Sequence, residues 1–221
     1  MPELPNRFGE RYDAVLHLLD RQVIDSDGLM VCKVDDLELS PTEDGLTLTA
    51  VLAGPPALLP RLGGRLGRAV RTFWVRMGDQ QADRRLPYRI DFDLVEELTS
   101  ALTLRRPRHG VLVRIPGEDD EGPVRHRLGE LLQFPVDAPE GRRRMLDVRV
   151  DEQHRIRSVV IGHGRPGALL GYDGRDGRPS AQGPALVRWI VRALHRHARE
   201  VPWDRVHVDW DRREVRVAVK P

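Results

Sequence analysis

Leu19–Leu39 reads LDRQVIDSDGLMVCKVDDLEL, and this stretch decides the fold class. Val31–Leu39 (VCKVDDLEL) reads as a strand, with Val31, Val34, Leu37 and Leu39 for the interior and Leu37 and Leu39 alternating with Asp36 and Glu38. Asp25-Ser26-Asp27-Gly28 lies ahead of that strand and supplies turn chemistry, with a glycine that tolerates positive φ. Beyond it, Pro41-Thr42-Glu43-Asp44-Gly45 separates the strand from Leu46–Leu52 (LTLTAVL), so the two runs form a hairpin.

Working outward, the same scheme returns at a spacing of roughly 110–116 residues, and repeats of this kind settle a fold before any single element does. The first copy continues through Gly54, Pro56 and Ala57-Leu58-Leu59, an arginine-rich stretch to Met77, Leu86-Pro87-Tyr88 and an alternating tail to Leu104. The second begins near Leu128–Val136 and runs through Met145–Val150, Ile156–Ile161, Gly164, Pro166 and Ala168-Leu169-Leu170. It closes with an amphipathic stretch Pro184–Arg199, then Val201-Pro202-Trp203 and Val206–Val219. Leu186, Trp189, Ile190, Ala193 and Leu194 fall on one helical face, so Pro184–Arg199 reads as a helix. The expected organisation is a first domain over 12–105, a charged linker over 106–125 containing Glu118-Asp119-Asp120-Glu121, and a second domain over 126–221.

Composition narrows the class. The chain has 221 residues, 40% of them hydrophobic, with no apolar run long enough to span a bilayer. The N-terminal residues lack a basic-then-apolar leader pattern, so the expected location is the cytoplasm. Net charge is +2 although 32% of residues are charged. Lys33 and Lys220 are the two lysines, so 34 of the 36 cations are arginine. A GC-rich genome favours arginine codons, but codon bias does not place the residues. Arg188, Arg192, Arg196 and Arg199 form one ridge on the expected helix, and Arg61, Arg65, Arg68 and Arg71 form its counterpart in the first copy. Such ridges steer an acidic partner.

Reactive constellations are not expected. Cys32 stands alone between Val31 and Lys33 and reads as a buried structural thiol. His195 and His197 are two apart on a helix and face different ways, so they do not share a metal. Gly63-Gly64-Arg65-Leu66-Gly67-Arg68 lacks the ending of a phosphate-binding loop and reads as a surface turn. Asp36 and Glu38 share one strand face with no opposing group and read as a solvated face. Ser158 and Ser180 have no nucleophile-elbow context.

Leu19–Leu39 together with Val201-Pro202-Trp203-Asp204-Arg205-Val206 resembles the PRC-barrel family, the first stretch its opening strand pair and the second its closing step. That family includes the reaction-centre H subunit and the C-terminal domain of the ribosome-maturation factor. The resemblance implies a mainly β, α+β chain of two small barrels, each with one helix or helical turn. It also implies docking onto a larger assembly rather than catalysis. The expectation is therefore a non-enzymatic interaction or scaffold protein with no cofactor and no metal. It binds an acidic protein partner through its arginine-lined surfaces and has no integral membrane association. Nucleic acid, in the manner of an RNA- or ribosome-associated assembly factor, is the second choice.

Overall fold

The computed structural model describes residues 10–58, 86–114, 124–163 and 198–218. In the first half β1 (Arg11–Asp13), β2 (Gln22–Ile24), β3 (Met30–Lys33), β4 (Asp36–Thr42) and β5 (Gly45–Ala53) precede β6 (Tyr88–Asp91), β7 (Val95–Leu98), β8 (Leu102–Leu104) and β9 (Val113–Arg114). The second half contains β10 (His126–Arg127), β11 (Pro135–Ala138), β12 (Gly141–Asp151), β13 (Ile156–Gly162), β14 (Arg199–Pro202), β15 (Val206–Asp209) and β16 (Glu214–Val217). One-turn helices at Ala14–His17, Pro55–Leu58 and Leu128–Leu131, and 3₁₀ turns at Phe92–Leu94 and Trp203–Arg205, punctuate the strands. The chain is mainly β.

The hairpin read around Pro41–Gly45 forms between β4 and β5, turning at Glu43-Asp44. The strand expected over Val31–Leu39 is interrupted at Val34-Asp35, where the chain changes partners. Val34 still bonds to the strand behind it through Arg21 O, whereas Asp35 N already donates to Leu52 O on β5. In the second half β12 makes the same transfer without a break. Its start pairs with β11 and its remainder with β13. A strand shared in this way curls the sheet.

Pairing then runs in the same order in both halves. In the first, β2 pairs antiparallel with β3 and parallel with β8, β8 with β7, β4 with β5, and β5 with β6. In the second, β11 pairs antiparallel with β12 and parallel with β16, β16 with β15, β12 with β13, and β13 with β14. The expected closed barrels are not what forms. The sheets are curled half-barrels. Among the described residues, the β14 and β15 ends of the second sheet do not hydrogen-bond to each other.

The halves exchange their first elements. Strand β1 and the helix after it leave the first half and dock on the second, with Tyr12 opposite Val150 and Asp13 opposite Arg149. Strand β10 and its helix dock on the first half, with His126 opposite Leu39 and Arg127 opposite Glu38. A one-turn helix cannot persist on propensity, because its nucleus is unfavourable. Neither helix is capped by its own N-cap side chain. The caps come from the opposite half. Asp147 accepts Val15 N and Val148 N on Oδ1 at 2.8 Å each and Leu16 N on Oδ2 at 3.1 Å. Asp36 Oδ1 accepts Gly129 N and Leu37 N, also at 2.8 Å each. Both aspartates are fully buried. Burial and the nearby charge of Asp13 push the Asp147 carboxyl well above its ordinary range, against the pull of its three N–H donors.

One apolar cluster joins the halves, from Tyr12, Leu18 and Leu39 to Leu131, Val150 and Val215. Where the halves cross, Thr47 of β5 bridges Arg155 ahead of β13, and Leu48 N donates to His154 O at 2.8 Å. His154 is buried with positive φ (64°), its Nδ1 3.1 Å from Tyr12 Oη and its ring 4.8 Å from that of Phe92. Trp203 lies over Gly45, where φ is +120° and an added Cβ would meet the indole nitrogen at 2.6 Å. The turn of one half is thus covered by the other.

Two predictions follow from this wiring. Asp147→Ala strands the Val15 and Leu16 N–H groups and should lower unfolding free energy by about 2–4 kcal/mol in urea titration, a lost cap plus buried unmet donors. Asp147→Asn, which keeps one acceptor oxygen, should cost less. The second prediction concerns acid. Burial raises the Asp151 pKa, but the Arg155 N–H and the Arg157 and Arg155 guanidiniums outweigh it and hold the carboxyl below its ordinary range. A depressed pKa stabilises the fold above the unfolded value, about 4, and that stability is lost as pH falls through the folded value. Asp151→Asn should therefore flatten the fall of the urea midpoint below about pH 4.

Candidate interaction surface

Of the ridge arginines expected to bind a partner, Arg61, Arg65, Arg68, Arg71, Arg188, Arg192 and Arg196 lie outside the described residues, as do His195, His197 and the Gly63–Arg68 turn. Arg199 is described, and it does not end a helix. It opens β14 opposite Ile161, and its guanidinium meets Glu140 Oε1 at 2.7 Å. The extended run into Pro202 carries it into the sheet, because a residue preceding proline disfavours the helical region and the strand extends back from there.

The face expected to be solvated is buried. Asp36 is the helix cap described above. Glu38, 2% exposed, takes Arg89 Nη2 at 3.0 Å and the Thr49 hydroxyl at 2.8 Å. The docked β10 pairs along the side of β4, with Arg127 opposite Glu38, and the helix after it is capped by Asp36. In the second half Arg149 takes Asp13 at 3.0 Å and also pairs with Glu200, whose other oxygen accepts Ser158 Oγ. Every group in these clusters is engaged by its neighbours, and they do structural work.

Cys32 is half-buried rather than fully enclosed. Burial first, and Asp35 second, push its thiol up to about 12. That is the reverse of an activated nucleophile. Among the described residues no three His, Cys, Asp or Glu side chains gather in a metal-holding group. Nor is any described helix long and apolar enough to cross a membrane.

A basic surface does appear, on the outer face of the second sheet. Gly141, with φ of +104°, turns β11 into β12 and sets Arg142 and Arg144 on the solvent side, both exposed. Register then builds a row across four strands. Arg142 stands opposite Asp137, Asp137 opposite Arg216, and Arg216 opposite His207. All four are exposed, while Val136 and Val215 point to the core. Arg216 pairs with Glu214, and Arg212 lies 3.8 Å from Asp209 at the edge. Neither Arg142 nor Arg144 has an acidic partner among the described residues.

The same register row in the first half reads differently. Met30 stands opposite Ile24, Ile24 opposite Thr103, and Thr103 opposite Glu97. Met30 is 50% exposed and its neighbour Leu29 47%. Rows at the same place in the pairing order therefore carry Met-Ile-Thr-Glu in one half and Arg-Asp-Arg-His in the other. The arginine run 142–144 is the available sequence signal, and because it sits on a strand it lies outside any ridge of helical spacing.

Beside this face His126 stacks on Trp210 at 3.6 Å between centroids, nearly parallel, and Phe134 meets Trp210 edge-on at 5.4 Å. Trp210 and Trp203 both pack against the core, half-buried.

Searched against known proteins, the chain matches no family model and no curated protein.

Alkylation checks the thiol. At pH 8 native Cys32 should react with iodoacetamide at least about a hundredfold more slowly than in urea-unfolded chain, because its thiolate fraction is so small. Equal rates would show that Cys32 is not held protonated.

Proposed function

We propose that this protein is a non-catalytic interaction module, a tandem of two diverged PRC-barrel-like units. In this reading it docks an acidic protein partner through the basic outer face of its second unit. The observation that carries the reading is the difference between matching rows: Arg142, Asp137, Arg216 and His207 against Met30, Ile24, Thr103 and Glu97. A shared fold has no need for exposed cations in one copy and apolar side chains in the other, so the divergence points to use. A sheet face holds its side chains on a rigid frame. Several modest charge contacts there act together and speed encounter with an anionic surface.

Similarity of strand order in both halves supports the duplicated-unit part of the reading. The pairing of Glu38 with Arg89 and of Arg149 with Asp13 and Glu200 supports a structural role for those charges.

Arg142→Glu, Arg144→Glu and Arg216→Glu combined should leave the unfolding free energy in urea within about 1 kcal/mol of wild type, since exposed charges contribute little to folding. The same triple variant should lose the salt-sensitive capture of its partner from native extract. Capture that survives the triple change sinks the proposal. Capture abolished by nuclease shifts the partner to nucleic acid.

A further inference from the structure

The two exchanged arms carry opposite charges at one and the same register position. Asp13 lies on β1 opposite Arg149, and Arg127 lies on β10 opposite Glu38. Glu38 and Arg149 are themselves matched. Glu38 is next but one to the capping Asp36, and Arg149 next but one to the capping Asp147. The reversal extends to the third strand, where Arg89 on β6 serves Glu38 and Glu200 on β14 serves Arg149. Those two also match, since Arg89 stands opposite Leu52 and Glu200 opposite Val160.

We propose that these reversed pairs decide which half each arm docks on, and so enforce the exchange. The proposal rests on reading the halves as equivalent copies. If they are, each arm has two shape-compatible sites, its own half and the other, because both offer a capping aspartate and a free strand side. Shape alone does not choose. Charge does. On its own half, Asp13 would stand directly opposite Glu38, and Arg127 directly opposite Arg149. Like charges directly opposite on paired strands repel. Asp13 and Glu38 are nearly inaccessible, 8% and 2% exposed, so water screens that repulsion little. In the exchanged arrangement Asp13 instead reaches Arg149 Nε at 3.0 Å, and Arg127 faces Glu38 while donating to Pro56 O at 3.0 Å. The wrong docking is thus built to be costly, which is how specificity between similar partners is generally secured.

The test uses the full chain and reads amide hydrogen exchange at Val15 and Leu16, the N–H groups held by Asp147, against Gly129, held by Asp36. In Arg149→Glu with Glu200→Arg, the second-half site takes on the charges of the first. Asp13 then has no matching site, so Val15 and Leu16 should lose protection while Gly129 keeps it. Adding Asp13→Arg should restore slow exchange at Val15 and Leu16. That rescue is the deciding result even if the double variant unfolds throughout, since general destabilisation would not be reversed by one more charge change. Retained protection in the double variant, or no rescue, overturns the proposal. The mirror variant, Glu38→Arg with Arg89→Glu, should release Gly129 alone. If the first site responds as stated and the mirror does not, the two-site rule is also overturned, and the failed premise is the equivalence of the halves rather than the action of charge.

Discussion

Two buried carboxylates hold this molecule together as one body. Asp36 and Asp147 each sit inside one half and accept backbone N–H groups from a one-turn helix belonging to the other. The first N–H groups of any helix lack intrahelical partners, and burying them without acceptors is costly. Each helix therefore depends on the opposite half for its cap, and each aspartate depends on the opposite helix for its donors. Strands β1 and β10 carry the helices to their sites, and the apolar cluster runs unbroken between halves because the arms bring Tyr12, Leu18, Leu128 and Leu131 into it. Pulling the halves apart would strand buried polar groups on both sides at once.

That constraint also accounts for much of the unusual composition. Arg89, Arg149 and Arg155 are each shared between carboxylates, Arg89 with Glu38 and Asp91, Arg149 with Asp13 and Glu200, Arg155 with Asp44 and Asp151. A planar guanidinium with several fixed donors can bridge two acids in a half-buried site where a lysine ammonium would reach one. A chain wired this way needs arginine for its interior, and nearly as many acids, which is why net charge is small despite the number of cations. Outward-facing arginines among the described residues include Arg142 and Arg144 on β12 and Arg216 on β16.

The sequence was most legible where periodicity acts locally. Alternation located the hairpin at Pro41–Gly45, and the Pro202 step located the last strands. The order of elements in the two halves could be lined up by eye. What could not be read was anything decided across the chain. Asp36 and Glu38 look like a solvated acidic face until β10 is paired beside them and its helix is set on Asp36, and nothing in residues 36–38 announces an element from about ninety residues away. Arg199 looks helical by spacing with Arg196 and Arg192, but the sheet partner Ile161 and the extended run into Pro202 prevail. The split at Val34-Asp35 depends on Leu52 capturing one amide while Arg21 keeps the next. Sequence proximity cannot express that competition. The family resemblance led to closed barrels, whereas the strands form curled sheets that share one core.

The division between interior and exterior charge bears directly on function. A binding surface built from the charges that fix the fold would be compromised by every change in partner, because altering Arg149 or Glu38 disturbs a buried pair. The outer row on β12, β11, β16 and β15 is free of that coupling. Its side chains face solvent while Val136 and Val215 secure the same strands from beneath. Sequence can drift there without touching the caps. Arg142, Arg144 and Arg216 gather on one face, and the row of the same register in the first half carries Met30, Ile24 and Thr103. The two halves, locked to each other by their interiors, differ on their outer faces, and the second half carries the basic one. Met30 and Leu29 give the other side its exposed apolar character.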